Sequence, residues 1–290
     1  MKVIRSRKLG YCHGVAETLK KADLCIQKGL TENRPFYSIG KLIHNGDVVR
    51  TFESRGLKVI DKPDTEKGFA LVRAHGIPDR LRSDFLNSGF ELIDATCVNI
   101  QHSKKEILKA WSDGRSVVVI GVKNHAETDC LLGSKDVPCF LVSCEDDLKG
   151  LFSSVSSGVP VTVVTQTTFL QTDYEKLSGK IKEHYKDCVF ANRLCLECLI
   201  RKDCVSEIAP SCDVFVVVGG KHSENTKDLV KYCETFGKPV WHVENIDDFS
   251  SELDKEIVRF DSVGICSGTS TPMQIIDKVC EHLSTLERKS

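Results

Sequence analysis

The stretch Phe90-Glu91-Leu92-Ile93-Asp94-Ala95-Thr96-Cys97 shows how the chain is organised. Its apolar residues predict a strand, and a helical pattern begins directly after Cys97. Cys12 and Cys195 stand in comparable places, because each also follows a short apolar run and precedes a new segment. The three cysteines divide the chain into near thirds, and our interpretation is that they converge on one metal cluster.

The composition limits the classes of protein that the chain can represent. Its 290 residues allow two or three domains with a sizeable core. The 40 Lys and Arg residues nearly balance the 41 Asp and Glu residues, which argues against a protein that attracts nucleic acid by net charge. No apolar run has the length of a signal peptide or a membrane helix. We therefore expect a cytoplasmic protein that binds neither membranes nor nucleic acid.

Fourteen cysteines are many for a protein in a reducing compartment, where disulfide frameworks are rare. Most are expected to be small buried side chains, and a few to bind metal or react. Six lie inside helical or strand patterns and are predicted to be structural: Cys25, Cys130, Cys139, Cys233, Cys266 and Cys280.

Helical and strand patterns alternate along the chain. The spacing of Val15, Leu19, Ala22, Ile26 and Leu30 predicts one apolar helix face just after Cys12. Short, near-continuous apolar runs suit parallel strands that are buried on both faces. These runs cover residues 69–72, 90–93, 117–120, 161–164, 215–218 and 263–266. The predicted fold is α/β, with several small sheets.

Polar turns follow several of these strands, where helix N-termini offer free N–H groups to a ligand. The turns are Asn124–Glu127, Thr165–Thr168, Lys221–Asn225 and Ser267–Pro272. In the last one, Thr271 is predicted to cap a helix whose first residue is Pro272. Any single turn is better explained by ordinary capping, because these residues are favoured at caps in any case. Several together predict a pocket for an anion.

Three histidines, His44, His75 and His125, also lie in turns beside apolar runs. A lone histidine is more often structural than a ligand, because its ring needs only one or two partners. Imidazole can also donate hydrogen bonds to phosphate oxygens. With helix N-termini, the three would bind a small diphosphate, and the chain contains no GxxxxGK[ST] phosphate loop.

The chain resembles the 4-hydroxy-3-methylbut-2-enyl diphosphate reductases, the LytB-type iron–sulfur enzymes of the methylerythritol phosphate pathway, over essentially its whole length. Each matching stretch is weak alone, whereas eight in the same order and spacing are specific. They are Gly10-Tyr11-Cys12-His13-Gly14-Val15, Ile43-His44-Asn45, Ala74-His75-Gly76, Asp94-Ala95-Thr96-Cys97, His125-Ala126-Glu127, Thr165-Gln166-Thr167-Thr168, Lys221-His222-Ser223-Glu224-Asn225 and Gly268-Thr269-Ser270-Thr271-Pro272.

The resemblance implies three similar small α/β domains, arranged as a trefoil around a central 4Fe-4S cluster. The expected domain ranges are residues 1–96, 97–193 and 194–290. By the same resemblance, Cys12, Cys97 and Cys195 are the cluster ligands.

The resemblance also assigns the substrate and catalytic residues. The diphosphate of the substrate is expected to bind His44, His75, His125, Ser223, Asn225 and Ser270. Thr167 is expected to lie near the substrate hydroxyl and to pass on a proton that Glu127 donates. The implied reaction is the reductive dehydroxylation of (E)-4-hydroxy-3-methylbut-2-enyl diphosphate to isopentenyl and dimethylallyl diphosphate. Reduced ferredoxin or flavodoxin is the expected electron donor, because the sequence lacks the GxGxxG turn of a nicotinamide site.

Two positions depart from the pattern of the family. Ala126 replaces a proline that many members have between the histidine and the glutamate. Glu224 stands where many members have a second serine for the diphosphate. A carboxylate facing a diphosphate would repel it, so Glu224 either points away or weakens binding at this corner.

A different class of protein is also compatible with part of the sequence. The pair Cys195-x-x-Cys198 is a common half of a structural zinc site, and Cys188, Cys204 and Cys212 lie nearby. The alternative is therefore a zinc- or thiol-based binding or redox module. No second CxxC is present, and this alternative does not explain Cys12, Cys97 or the histidine turns.

Overall fold

The computed structural model describes residues 1–286, which contain short parallel strands alternating with helices. The strands are β1 (Lys2–Arg5), β2 (Phe36–Ile39), β3 (Lys58–Ile60), β4 (Phe69–Val72), β5 (Glu91–Asp94), β6 (Ser116–Ile120), β7 (Cys139–Val142), β8 (Val161–Thr165), β9 (Cys188–Phe190), β10 (Val214–Val218), β11 (Val240–Val243) and β12 (Ser262–Ser267).

The α-helices lie between the strands in sequence. They are α1 (His13–Glu32), α2 (Gly46–Ser54), α3 (Asp79–Asn87), α4 (Val98–Ser112), α5 (Ala126–Leu132), α6 (Glu145–Ser154), α7 (Gln171–His184), α8 (Leu196–Ile208), α9 (Glu224–Glu234), α10 (Ser251–Ile257) and α11 (Met273–Thr285). Two short 3-10 helices cover Ala209–Ser211 and Ile246–Asp248.

The described strands form three four-stranded sheets, and every strand pair in them is parallel. Sheet I has the order β3-β2-β4-β5, sheet II the order β7-β6-β8-β9, and sheet III the order β1-β12-β10-β11. The predicted α/β fold with three similar small sheets is confirmed.

Four of the central strands described are buried along their whole length, as near-continuous apolar runs predict. All residues of β4, β8, β10 and β12 are buried. The six strands that the sequence predicts agree with the structure to within one residue at each end. The edge strands β3 and β9 have three residues each and are partly exposed, so their patterns are too short to predict.

The N-terminal strand belongs to the sheet of the last part of the chain. Val3 of β1 is paired with Val263 of β12, in parallel register. The predicted range 1–96 groups this strand with sheet I instead. The ranges 1–96, 97–193 and 194–290 stay a prediction as domain boundaries, but sheet III unites residues from the first and the last of them.

The chain forms two compact units. One contains Met1–Val15, Ile43–Val49 and the chain from Leu196 onward, and it holds sheet III. The other contains Ala16–Leu42 and Arg50–Cys195, and it holds sheets I and II. We call them the sheet III unit and the sheet I–II unit.

Two local predictions are wrong. Leu30 does not belong to the buried face of α1, because its side chain is 68% exposed. Thr271 does not cap α11, which begins at Met273 with Pro272 before it in an extended conformation. The Thr271 hydroxyl instead donates to the carbonyl of Val218 on β10, at 3.0 Å.

Among the helices within residues 1–286, none combines the length and the apolar character that crossing a lipid bilayer requires.

Candidate active site

A buried carboxyl group occupies the end of sheet II. Glu127 lies in the first turn of α5 and is only 1% exposed. The backbone N–H of Thr167, in the turn after β8, donates to Glu127 Oε1 at 2.6 Å. The Thr167 hydroxyl lies 3.1 Å from Glu127 Oε2. The two polar turns that follow neighbouring strands β6 and β8 therefore meet at this carboxyl group.

The environment of Glu127 favours its protonated form. Burial raises the pKa of Glu127 to about 7, although both hydrogen bonds from Thr167 oppose that rise. The nearby Cys195 thiol also raises the pKa. A carboxyl group with a pKa near neutrality can exist in both protonation states at physiological pH, as a general acid requires.

The turn that carries Glu127 is organised by His125. The Glu127 backbone N–H donates to Nδ1 of His125, at 3.2 Å, so the imidazole caps α5. Its ring lies edge-on to the ring of His75, with centroids 5.6 Å apart. Because Nδ1 accepts this hydrogen bond, the proton of a neutral His125 ring lies on Nε2.

The Cys97 turn adjoins His75 through the backbone. The N–H of Cys97 donates to the carbonyl of Ala74, at 2.9 Å. Gly76 has a φ of +71°, and a Cβ at this position would lie 2.5 Å from the Cys130 sulfur, so only glycine fits. Asp94 accepts from the Thr96 N–H at 2.9 Å and pairs with Arg82 at 2.7 Å, which fixes the residues before Cys97.

Cys195 is hydrogen-bonded both to the Thr167 turn and to the start of α4, which follows the Cys97 turn. Its backbone N–H donates to the carbonyl of Thr167 at 2.8 Å. Its sulfur accepts from the side-chain amide of Asn99, at 3.8 Å, and Asn99 lies in the first turn of α4. The sheet I–II unit thus brings together six residues of the predicted site: His75, Cys97, His125, Glu127, Thr167 and Cys195.

In the sheet III unit, one amide side chain connects two polar turns. Asn225 Nδ2 donates to the hydroxyl of Ser223 at 2.9 Å, and Asn225 Oδ1 accepts from the N–H of Thr269 at 2.9 Å. Ser223 is 1% exposed and Ser270 is 8% exposed. A Cβ at Gly268 would lie 2.1 Å from Thr226 Oγ1, so the turn requires a glycine.

Cys12 joins the same group of turns. Its backbone N–H donates to the carbonyl of Thr269, at 3.0 Å. His44 also belongs to this unit. Its carbonyl oxygen packs closely against Gly220, where a Cβ would lie only 2.3 Å from that oxygen. The unit therefore contains the other five predicted residues: Cys12, His44, Ser223, Asn225 and Ser270.

Glu224 forms an ion pair along its own helix. Its Oε1 atom lies 2.8 Å from the ammonium group of Lys227, one turn further along α9. The sequence allows Glu224 either to point away from a bound anion or to weaken its binding. The pairing with Lys227 fits the first of these, in which the carboxylate is directed away from an anion at the Ser223 turn.

The donor groups around the three cysteines fit an iron–sulfur cluster. Cys12, Cys97 and Cys195 each directly precede a helix, namely α1, α4 and α8. Helix N-termini stabilise thiolates, which are the form of cysteine that binds iron. The sulfur of Cys12 accepts from the N–H of Val15 at 3.4 Å, and that of Cys195 from Asn99. Within residues 1–286, no disulfide involves any of the three.

The zinc alternative finds less support. Cys204 and Cys212 are 0% and 2% exposed, and Cys212 packs in the apolar core under sheet III. Within the described part of the sheet III unit, Cys198, Cys204 and Cys212 do not form a group that could bind one metal ion. Cys25, Cys130, Cys233, Cys266 and Cys280 are buried as predicted, and Cys139 is half-buried.

Sequence reasoning missed two side chains beside the predicted ligands. Asn99 lies two residues after Cys97 and contacts the sulfur of Cys195. Arg201 lies six residues after Cys195 and donates to the carbonyl of Gly10, two residues before Cys12, at 2.6 Å. The only sequence signal for either is its closeness along the chain to a cysteine.

The fold and these turns define a class: parallel α/β enzymes with polar residues and cysteines at the carboxyl ends of the strands. The sequence model of the family described as LytB protein matches residues 3–284. The chain belongs to the LytB protein family.

Individual relatives agree with this membership. A protein of Treponema denticola named 4-hydroxy-3-methylbut-2-enyl diphosphate reductase is 33% identical over 292 residues, which cover 98% of this chain and 99% of the relative. One of Thermoanaerobacter sp. with the same name is 28% identical over 291 residues, covering 99% of this chain and 98% of the relative.

Two solved structures share the fold. One is the E-1-hydroxy-2-methyl-but-2-enyl-4-diphosphate reductase of Plasmodium falciparum, with a TM-score of 0.88 and 23% identity, covering 98% of this chain and 88% of that one. The other is described as (E)-4-hydroxy-3-methyl-but-2-enyl diphosphate reductase, the terminal enzyme of the non-mevalonate pathway. Its TM-score is 0.71 and its identity 27%, covering 98% of this chain and 99% of that one.

Proposed function

We propose that this chain catalyses the reductive dehydroxylation of (E)-4-hydroxy-3-methylbut-2-enyl diphosphate to isopentenyl and dimethylallyl diphosphate. In this reaction, two electrons and two protons replace the allylic hydroxyl group with hydrogen and release water. The observation that carries the proposal is the buried Glu127 carboxyl group, which is hydrogen-bonded to both the N–H and the hydroxyl of Thr167. Membership of the LytB family and the names of the relatives support it.

In this proposal, Cys12, Cys97 and Cys195 hold a 4Fe-4S cluster. Three thiolates leave one of the four irons without a protein ligand. When bound, the cluster supplies electrons and a Lewis-acidic iron to the allylic hydroxyl group. The half-buried positions of the three cysteines, each at a helix N-terminus, support this role.

The diphosphate binds to neutral or weakly basic groups. His44, His75 and His125 donate from imidazole nitrogens, while Ser223, Asn225 and Ser270 donate from hydroxyl and amide groups. The free N–H groups at the N-terminus of α9 add a positive dipole end. The hydrogen bonds of Asn225 to Ser223 and Thr269 keep the two turns in register before the ligand arrives.

The Glu127–Thr167 pair provides the proton that the departing hydroxyl group needs. The protonated Glu127 carboxyl donates to Thr167 Oγ1, and the Thr167 hydroxyl donates onward to the leaving oxygen. Because burial raises the pKa of Glu127 to about 7, the acid form is available at neutral pH. Departure of water rather than hydroxide lowers the barrier, and general acid catalysis of this kind contributes ~100- to 10,000-fold.

Electrons come from a small reduced carrier, either ferredoxin or flavodoxin. Asn99 and Val98, which directly follow Cys97, are exposed, so this end of α4 is accessible to a protein partner.

One experiment tests the proposal as a whole. The protein is purified without oxygen, its iron, acid-labile sulfide and zinc are measured, and the substrate is supplied with a chemical reductant. We expect roughly four irons and four sulfides per chain, and formation of both products. A colourless protein that contains zinc and forms neither product would refute the proposal.

A further inference from the structure

A buried arginine lies beside the Cys12 loop. Arg201, on α8, is 2% exposed. Its Nη2 atom donates to the carbonyl of Gly10 at 2.6 Å, and its Nη1 atom donates to the carbonyl of Ser267 at 3.0 Å. Nη1 also lies 3.2 Å from the Ser267 hydroxyl and 3.2 Å from the Lys8 carbonyl. A single guanidinium group thus holds two separate segments of the chain.

These segments carry residues of the proposed site. Gly10 lies two residues before Cys12, and Ser267 opens the turn that contains Thr269 and Ser270. The N–H of Gly10 donates to the Ser267 hydroxyl at 3.1 Å, and the N–H of Cys12 to the Thr269 carbonyl at 3.0 Å. Arg201 therefore supports the junction between a proposed cluster ligand and a proposed diphosphate turn.

The backbone of this junction requires a glycine at position 10. Its φ is +79°, and a Cβ there would lie 2.8 Å from the sulfur of Met273. The left-handed conformation favours glycine, and it directs the Gly10 carbonyl to the guanidinium group.

Among the described residues, Arg201 makes no direct contact with a carboxylate, although the Glu197 carboxylate is near enough to act on its charge. Within residues 1–286, no Asp or Glu forms an ion pair with it. Burial lowers the pKa of the guanidinium, while the Cys198 and Cys12 thiols and the Glu197 carboxylate act in the opposite direction. Its Nε–H is buried without an acceptor. A buried cation of this kind is costly unless an anion lies close to it.

We propose that Arg201 is a positioning residue that fixes the Cys12 loop against the Ser267–Ser270 turn and offsets the negative charge of the thiolate-ligated cluster. This inference rests on the proposed function, because that function supplies the anionic cluster. Net charge and hydrogen bonding near a cluster set its reduction potential, so removal of the cation makes the cluster harder to reduce.

The experiment compares Arg201→Gln and Arg201→Lys with the matched control Arg115→Gln. Arg115 also donates from one guanidinium to a carbonyl and a carboxylate, those of Val161 and Asp187, but it contacts no residue of the proposed site. Iron release to a chelator and the reduction potential are measured on the anaerobically purified proteins. The binding of isopentenyl diphosphate is measured by calorimetry.

We expect Arg201→Gln to release iron at least tenfold faster than wild type, to have a more negative potential, and to bind isopentenyl diphosphate more weakly. Arg201→Lys keeps the charge but loses the fork geometry, so its potential should stay near wild type while iron release is faster. Arg115→Gln should match wild type in all three. If Arg201→Gln behaves like Arg115→Gln, the proposal is wrong.

A second readout needs no cluster and separates this proposal from the proposed function. In iron-free protein, alkylation of Cys12 by iodoacetamide is followed by mass spectrometry. Loss of the hydrogen bond to Gly10 should mobilise the loop, so Cys12 should react several-fold faster in Arg201→Gln and less so in Arg201→Lys. Equal rates in wild type and both variants would overturn the positioning role even if the wild-type protein held no iron.

Discussion

Two groups of turns lie at the carboxyl ends of parallel strands, and they are built from different chemistry. At the end of sheet II, a carboxyl group that is 1% exposed is held by a backbone N–H and a hydroxyl. At the end of sheet III, the amide of Asn225 joins neutral residues, and the nearby carboxylate of Glu224 is paired with Lys227. In the proposed function, the same architectural position thus supports a proton donor in one sheet and an anion site in the other.

The largest effect should come from removing a proposed cluster ligand. Cys97→Ala should lose its iron and nearly all turnover, because a cluster that lacks a thiolate is poorly held. Binding of isopentenyl diphosphate should persist, since Cys97 is not among the proposed diphosphate-binding residues. The control is Cys204→Ala, which removes a sulfur that is 0% exposed. If Cys204→Ala emptied the site and Cys97→Ala did not, the ligand assignment would be wrong.

Glu127→Gln should separate the chemistry from the binding. The amide keeps its size and can still accept from the Thr167 N–H, but it delivers no proton. Turnover should fall ~100- to 10,000-fold while substrate affinity and iron content change little. Steady-state kinetics with parallel substrate-binding measurements would check this. Near-normal turnover would mean that the proton comes from the substrate diphosphate or from water.

The pH profile provides a separate test of Glu127. Burial raises the pKa of this carboxyl group to about 7, and the acid form exists below that value. Turnover in the wild type should therefore fall as the pH rises through about 7, whereas Glu127→Gln should lack this decrease. A wild-type profile that is flat from pH 6 to pH 9 would contradict the role of Glu127 as the acid.

Asn225→Ala should weaken binding and leave the chemical step largely intact, which is the reverse of the effect expected for Glu127→Gln. It removes the amide that joins Ser223 to Thr269, so the diphosphate site loses both a donor and its internal support. With ~1.5 to 3 kcal/mol for each hydrogen bond to a charged group, diphosphates should bind ~10- to 150-fold more weakly. Turnover at saturating substrate should change far less. Product-inhibition constants measure the effect, and unchanged constants would remove Asn225 from the site.

The smallest effect is expected at Glu224. Its ion pair with Lys227 is partly exposed, and such pairs contribute only ~0 to 1 kcal/mol. Diphosphate affinity in Glu224→Gln should therefore change less than about threefold. A tenfold gain in affinity would show instead that the carboxylate faces the bound diphosphate and opposes it.

The sequence contains enough information for the central strands and for the α/β class. Continuous apolar or β-branched runs such as those of β4 and β8 predict buried parallel strands, because each strand has neighbours on both faces. The edge strands β3 and β9 were not predicted, since three partly exposed residues carry little pattern. The strand β1 is visible as Val3-Ile4, but a local pattern does not reveal that its partner is β12.

The site residues could be predicted only where the sequence resembles the family. Glu127 and Thr167 lie 40 positions apart, and their contact depends on which strands are neighbours in the sheet. Thr271 shows the same limit, because its hydroxyl donates to Val218 on another strand rather than to the helix that follows it. For Arg201 the sequence pattern is misleading, since a charged residue within a helix predicts a solvent-facing side chain. Only the tertiary structure shows that carbonyls from two other segments surround it.

The pairing of Val3 with Val263 has a consequence for biosynthesis. On the ribosome, β1 is made long before its partner β12 and must wait for it. Domains usually fold from the N-terminus onward during translation, but sheet III cannot be completed in that order. The backbone N–H of Cys12 can donate to the Thr269 carbonyl only after residue 269 has been synthesised, so we expect this proposed cluster ligand to reach its final position later than Cys97 and Cys195.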